Sequence, residues 1–164
     1  MASTTENREL VRRFFIEVWN GRKTDLLDAL LQFPYEIENL LTGSPSEHVG
    51  REEMEEHMQE WFEAFPDLEI SIRQVIAEMD KVFVETRYAG THLGAYRGIK
   101  ATGNRIDVSV LAVFHTESGK LAGHAVMVDA LGLYRQLGWI LIEPAGPSGE
   151  TEMPDSMSDD LHSF

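Results

Sequence analysis

Apolar residues in the first part of the chain recur at the three- and four-residue spacing of amphipathic helices. Ser3 and Glu6 match a capping box, which predicts that a helix begins there and runs over residues 4–20. A shorter helix is predicted over residues 24–31 and a longer one over residues 50–65. The apolar stripes of the two long helices consist of Leu10, Val11, Phe14, Phe15, Val18, Met54, Met58, Trp61, Phe62 and Phe65. Each long helix is therefore expected to bury one face against the rest of the domain.

The spacing of apolar residues changes from helical to alternating after Pro66, which predicts β-strands. The predicted strands cover residues 35–41, 68–76, 82–88, 106–114 and 120–128, and a short helix follows over residues 131–137. Tight turns at residues 79–81 and 118–119 connect neighbours of this series as in an antiparallel meander. Helices followed by such a meander are typical of an α+β fold. We expect a curved antiparallel sheet that forms a cone around the N-terminal helices.

The composition limits the chemistry and the partners of the protein. The chain of 164 residues is long enough for one domain with a sizeable core, and it contains no cysteine, which excludes disulfides and thiolate metal sites. It carries 28 acidic residues against 14 Lys and Arg, a formal net charge of −14. A surface with this charge repels phosphates, so we expect no nucleic-acid partner. The acidity fits either a high-salt cytoplasm or an ordinary acidic protein.

Both ends of the chain are polar. Residues 1–9 lack the apolar core of a secretion signal, and no apolar run reaches the length of a membrane span. We therefore expect a cytoplasmic protein with no membrane partner. Residues 143–164 contain six acidic residues and no Lys or Arg, and they are rich in Gly, Pro and Ser. This composition predicts an acidic tail after a single domain over residues 1–142.

Five segments of the chain, taken in order, resemble the SnoaL-like polyketide cyclase family. They are residues 9–20, residues 50–54 with 64–68, residues 90–94, residues 119–124 and residues 129–138. The resemblance implies the fold of nuclear transport factor two, an α+β cone-shaped barrel of one curved antiparallel sheet around N-terminal helices. In the family's cyclases, ring closure is an intramolecular aldol reaction that needs no cofactor or metal. The resemblance therefore implies cofactor-independent acid/base catalysis, by ring closure or a related isomerisation, on an apolar carbonyl-bearing small molecule. The alternative is a non-catalytic small-molecule-binding protein of the same fold.

Two residues are candidates for catalysis, and each has a structural alternative. Asp129 matches the family's aspartate in the segment Asp-Ala-Leu-Gly, so the resemblance implies a base; the alternative is a cap for the helix that begins at Ala130. His124 is either a proton shuttle or oxyanion donor, or a buried histidine bonded to the backbone. Because strand residues alternate between faces, the two side chains meet only if the strand bulges or ends before Asp129.

Seven further residues are candidates for binding the substrate. The resemblance places His92 at the rim of the pocket, with a solvated loop histidine as the alternative. His115 lies at a strand end and faces either the pocket or the surface, while Asn39 either donates a hydrogen bond to a ligand carbonyl or satisfies a turn. The apolar candidates, drawn from residues that otherwise belong to the core, are Phe15, Trp19, Trp61 and Met127.

Two histidines and two small residues complete the sequence-based predictions. His48 precedes the helix over residues 50–65, and His57 lies on its acidic face. We expect both histidines to be solvated. No pair of histidines has the i, i+4 spacing of metal ligands on a helix, so no metal site is predicted.

The family usually has an acid and a tryptophan beside the strand histidine, where this chain has Gly123 and Ala125 on either side of His124. We expect the missing tryptophan to leave more room in the pocket.

The strand over residues 106–114 is apolar at positions that face outwards as well as inwards. Proteins of the fold that the resemblance implies usually pair through this face of the sheet. We therefore expect a homodimer whose acidic tail reaches across to the partner, with a hydrophobic small molecule as its ligand.

Overall fold

A computed structural model describes residues 3–42 and 45–139 of the chain. The helices are α1 (Thr4–Arg13), α2 (Leu27–Leu30), α3 (Arg51–Ala64) and α4 (Ala130–Gln136), with a π-helical segment at Phe14–Asn20 and a 3₁₀ turn at Thr24–Leu26. The strands are β1 (Leu31–Asn39), β2 (Glu47–Val49), β3 (Glu69–Glu78), β4 (Lys81–Thr91), β5 (Arg105–Glu117) and β6 (Lys120–Val128). The predicted acidic tail over residues 143–164 lies outside the described residues. None of the helices in the described ranges combines the length and the apolar character needed to cross a membrane.

The first helix begins where the sequence predicts. Ser3 Oγ accepts a hydrogen bond from the backbone N–H of Glu6 at 3.2 Å, and the Glu6 carboxylate accepts one from the backbone N–H of Ser3 at 2.6 Å. After α1 the helix widens into the π-helical segment, which buries four of its side chains in the core. These side chains are Phe14, Phe15, Val18 and Trp19.

Six strands of the described ranges form one curved sheet in the order β2-β1-β6-β5-β4-β3. All neighbours are antiparallel except β1 and β6, which are parallel, so the prediction of an antiparallel sheet is wrong for this pair. Parallel neighbours need a long crossover connection, and here the chain passes through α3 and the four strands β2 to β5 before it returns beside β1. The short strand β2 was not predicted.

The concave face of the sheet packs against α1 with its π-helical continuation and against α3, as predicted. Phe114 of β5 contacts the rings of Phe14 and Phe15 at centroid distances of 6.0 and 5.9 Å. From α3, the Trp61 ring contacts Tyr88 of β4 at 5.6 Å. Alternate residues of β5 and β6 face this core, and the residues between them face outwards. The core therefore lies between the helices and the sheet, and the expected α+β cone is confirmed.

Candidate active site

The cone encloses a cavity of about 190 Å³ between the π-helical segment, α3 and the concave face of the sheet. Most of its wall is aromatic or aliphatic, and the ionisable side chains in it are Glu47, Glu53, His57, Tyr88 and His124. Because Glu47 and Glu53 are exposed, the cavity opens to solvent between β2 and α3. Within residues 3–42 and 45–139, no group of three or more His, Asp or Glu side chains is arranged to hold a metal ion.

His124 of β6 is held in the cavity wall by Tyr35. The phenol oxygen of Tyr35 lies 2.8 Å from Nδ1 of His124. The imidazole also contacts the rings of Tyr35 and Phe114, at centroid distances of 5.5 and 5.0 Å. Burial, followed by the charges of His57 and His115, lowers the pKa of His124 to about 3. Burial also raises the pKa of the Tyr35 hydroxyl.

At neutral pH His124 is uncharged and Tyr35 keeps its proton. The Tyr35 hydroxyl is fully buried and has no other acceptor among the described residues, so it donates to Nδ1, and the imidazole proton sits on Nε2. Nε2 has no hydrogen-bond partner in the described part of the chain. A neutral imidazole fixed in this way offers an N–H donor to an oxygen atom in the cavity.

His57 of α3 also lines the cavity, so the prediction that it is solvated is wrong. Its ring packs edge-on against Trp19 at a centroid distance of 6.4 Å. Burial, followed by the positive charge of Arg97, lowers the pKa of His57 from 6.5 to about 4. His57 lies three residues after Met54 and four before Trp61, which places it on the buried stripe of α3 rather than on its acidic face. That spacing is the sequence signal that could have located it.

Four of the predicted substrate-binding residues line the cavity: Asn39, Phe15, Trp19 and Trp61. The Oδ1 of Asn39 accepts a hydrogen bond from the backbone N–H of Leu41 at 3.0 Å, so this side chain both satisfies the turn after β1 and faces the cavity. The indole N–H of Trp19 is buried with no acceptor among the described residues. The wall thus combines a large apolar surface with a few polar groups, as in most small-molecule sites.

Asp129 and Met127 lie on the outer side of the sheet, so Asp129 does not meet His124 although β6 ends at Val128, and Met127 does not line the cavity. β6 ends at Val128, and the backbone N–H of Asp129 still donates to the carbonyl of Ser109 at 3.0 Å, so the chain stays aligned with β5 up to this residue. The alternation of faces therefore persists to the end of β6. The carboxylate of Asp129 caps α4, because its Oδ1 accepts from the backbone N–H of Gly132 at 2.8 Å.

His92 and His115 also lie away from the cavity. His92 is fully buried, so it neither rims the pocket nor lies in solvent. Its Nδ1 is 3.0 Å from Thr102 Oγ1, and its ring packs on Phe65 at a centroid distance of 5.4 Å. His115 follows the inward-facing Phe114 on β5 and therefore faces outwards, where its Nε2 lies 3.8 Å from a carboxylate oxygen of Glu36.

Comparison with known proteins assigns the family. Residues 9–137 match the sequence model of the SnoaL-like polyketide cyclases. The chain belongs to the SnoaL-like polyketide cyclase family. It is 30% identical over 132 residues to the aklanonic acid methyl ester cyclase DnrD of Streptomyces peucetius, covering 79% of this chain and 89% of that protein.

Solved structures share the fold of this SnoaL-like protein. TsrD from Streptomyces laurentii is similar with a TM-score of 0.75 and 27% identity, over 85% of this chain and 100% of that one. A SnoaL-like polyketide cyclase from Agrobacterium tumefaciens has the same fold at a TM-score of 0.66 and 15% identity, over 84% of this chain and 100% of that one.

The two departures from the SnoaL-like pattern, Gly123 and Ala125, face away from the cavity. Both flank the inward-facing His124 on β6, so strand alternation turns them outwards. The expectation that Ala125 leaves more room in the pocket is therefore wrong. Gly123 is required by close packing, because a Cβ atom there would lie 2.5 Å from the carbonyl oxygen of Glu36 and 2.5 Å from Cε1 of His115.

Proposed function

We propose that this protein is a cofactor-independent cyclase that closes a ring, by an intramolecular aldol reaction, in an apolar small molecule held in the cavity. The observation that carries the proposal is His124, a neutral imidazole fixed by Tyr35 in an apolar wall with Nε2–H available to an oxygen atom. The enolate oxygen that forms in an aldol reaction needs such a donor. Family membership and two cyclase relatives favour ring closure over non-catalytic binding of a ligand.

The substrate that we propose is a neutral polyketide ester with several carbonyl groups. The relative DnrD is named for aklanonic acid methyl ester, which belongs to this class. The largely apolar wall suits a hydrophobic carbon skeleton. Glu47 and Glu53 at the opening repel a free carboxylate, which favours the ester over the acid.

The proposal is tested by incubating the purified protein with aklanonic acid methyl ester and following the formation of an isomer of equal mass. The wild-type protein is expected to form the cyclised isomer faster than buffer does. His124→Phe keeps the shape of the ring but removes the N–H donor, and it is expected to lower kcat by about 10²–10³-fold. Thermal unfolding checks that the variant is folded. A wild-type protein that converts the ester no faster than buffer would contradict the proposal.

We further propose that the protein forms a homodimer and that it is located in the cytoplasm. Leu111, Val113 and Met127 are 37%, 38% and 39% exposed on the outer face, and Leu111 pairs with Met127 across β5 and β6. Burial of this apolar patch against a second copy would stabilise a dimer. Light scattering at micromolar concentration is expected to give the mass of a dimer, and Leu111→Glu is expected to give a monomer. A monomeric wild-type protein would rule the dimer out.

A further inference from the structure

His57 lines the cavity beside Trp19, and its ring nitrogens have no hydrogen-bond partner among the described residues. An imidazole in such a position is available to exchange a proton with a bound molecule. We propose that His57 is the general base that removes the proton from the activated carbon of the substrate, an assignment that rests on the proposed ring-closing function.

The other ionisable groups in the cavity wall are less suited to this role. Nδ1 of His124 accepts from Tyr35 and its Nε2 carries the proton, so His124 acts as a donor. Glu53 lies at the opening, where its carboxylate accepts from the backbone N–H of Gly50 at the start of α3. Glu47 is exposed at the same opening. Burial raises the pKa of the Tyr88 hydroxyl, so this group keeps its proton at neutral pH. The imidazole of His57 is therefore the proton acceptor that faces the interior.

The surroundings of His57 keep it unprotonated. Burial and the charge of Arg97 lower its pKa to about 4, so it is neutral at physiological pH. The Arg97 side chain is 8% exposed and its Nε lies 4.0 Å from a carboxylate oxygen of Glu60, on the turn of α3 that follows His57. The titratable groups that face the same cavity from β6, β4, β2 and α3 are His124, Tyr88, Glu47 and Glu53. A neutral imidazole of this basicity, comparable with an ordinary carboxylate, can accept a proton from a carbon activated by carbonyl groups.

The reaction balances without another reactant. The C–H bond of the activated carbon breaks, the proton goes to His57, and the bonding electron pair forms the enolate, whose oxygen accepts a hydrogen bond from Nε2–H of His124. The enolate carbon then forms a C–C bond to a carbonyl carbon of the same molecule, which closes the ring. The π electrons of that carbonyl move to its oxygen, which takes the proton back from the His57 imidazolium. The product is an isomer of the substrate with a new hydroxyl group.

The test uses the full-length protein with aklanonic acid methyl ester. His57→Gln fills similar space but cannot accept the proton, so it is expected to lower kcat by about 10²–10⁴-fold with little change in KM. His48→Gln, which alters an exposed histidine, is the matched control and is expected to keep the wild-type rate. His57→Ala opens space for free imidazole, so added imidazole is expected to restore turnover with saturation.

The possible outcomes separate this assignment from the proposed function. Because His57 has no hydrogen-bond partner among the described residues, its replacement leaves no partner unsatisfied, and thermal unfolding is expected to show that both variants fold. A His57→Gln rate within about twofold of wild type overturns the base assignment and leaves ring closure in place. A folded, inactive His57→Ala that imidazole does not rescue also overturns it. A wild-type protein that does not convert the ester overturns the proposed function and this assignment with it.

Discussion

Tyr35 is fully buried, and its hydroxyl holds Nδ1 of His124 at 2.8 Å. Tyr35→Phe removes this donor and keeps the packing, so the proton of His124 is free to occupy either nitrogen. We expect kcat to fall about tenfold with KM nearly unchanged, since one such hydrogen bond contributes about 0.5–1.5 kcal/mol. ¹⁵N NMR of labelled histidine should show a mixture of tautomers in the variant. An unchanged tautomer together with an unchanged kcat would contradict the positioning role of Tyr35.

Asp129 is expected to affect stability and not turnover. Asp129→Asn keeps a side-chain oxygen for the backbone N–H of Gly132, so the free energy of unfolding should change by less than about 0.5 kcal/mol. Asp129→Ala removes the cap of α4 and should lower it by about 1 kcal/mol, measured by urea unfolding. Equal stability of the two variants would show that the cap contributes nothing.

Burial and, to a smaller extent, the charge of Arg97 are expected to set the acid limit of turnover through the pKa of His57. The pKa of His57 is depressed from 6.5 to about 4, so the unprotonated base is lost as the pH falls through about 4. Arg97→Gln removes the positive charge and should raise the pKa of His57, which moves the acid limb of kcat/KM to higher pH. Arg105→Gln alters an exposed arginine and serves as the control. An acid limb at the same pH in all three proteins would show that Arg97 does not tune His57.

At the scale of single residues, strand alternation was the most reliable guide to the site. It separates His124 from Asp129, and the structure places them on opposite faces. His57 was missed because acidic residues surround it in the sequence, although its spacing from Met54 and Trp61 fits the buried stripe. The burial of His92 could not be predicted, because the groups that enclose it come from the loop after β4 and from the end of α3, and no local pattern shows that these two segments meet.

At the scale of elements, local patterns predicted the long helices and strands. The capping box and the apolar stripes located α1 and α3, and alternation located β3 to β6. Two features of the sheet could not be predicted from a local pattern in the sequence. β2 has three residues, too few to show a periodicity, and the parallel pairing of β1 with β6 depends on the path of the whole intervening chain.

The packing of β1 against β6 leads to a prediction at Gly123. Its Cα faces the carbonyl of Glu36 and the ring of His115 so closely that an added methyl group would overlap both. Gly123→Ala should therefore lower the free energy of unfolding by about 1–3 kcal/mol in urea. Ala125→Ser, at a partly exposed position two residues along the same strand, should change it by less than about 0.5 kcal/mol. Equal stability of Gly123→Ala and the wild type would mean that the two strands separate more easily than their packing indicates.

At the scale of the whole molecule, three buried histidines make stability depend on pH. Burial lowers the pKa of His57, His92 and His124 in the folded protein, whereas each titrates near 6.5 when unfolded. Below about pH 6.5 the unfolded chain therefore binds more protons than the folded protein. The free energy of unfolding is highest above that pH and declines as the pH falls. The decline is up to about 1.4 kcal/mol per pH unit for each histidine. Urea unfolding at about pH 7 and about pH 5 measures the decline, which should be smaller in His57→Gln. Equal stability at both pH values would contradict the neutral, buried state of these rings.

We propose that ring closure takes place in the cavity at His124 and not on the outer face at Asp129. The most direct measurement is the rate of cyclisation of aklanonic acid methyl ester by the wild type, His124→Phe and Asp129→Asn under identical conditions. We expect Asp129→Asn to turn over within about twofold of the wild type, while His124→Phe loses about 10²–10³-fold. Loss of turnover in a folded Asp129→Asn, with turnover retained in His124→Phe, would contradict a reaction at His124.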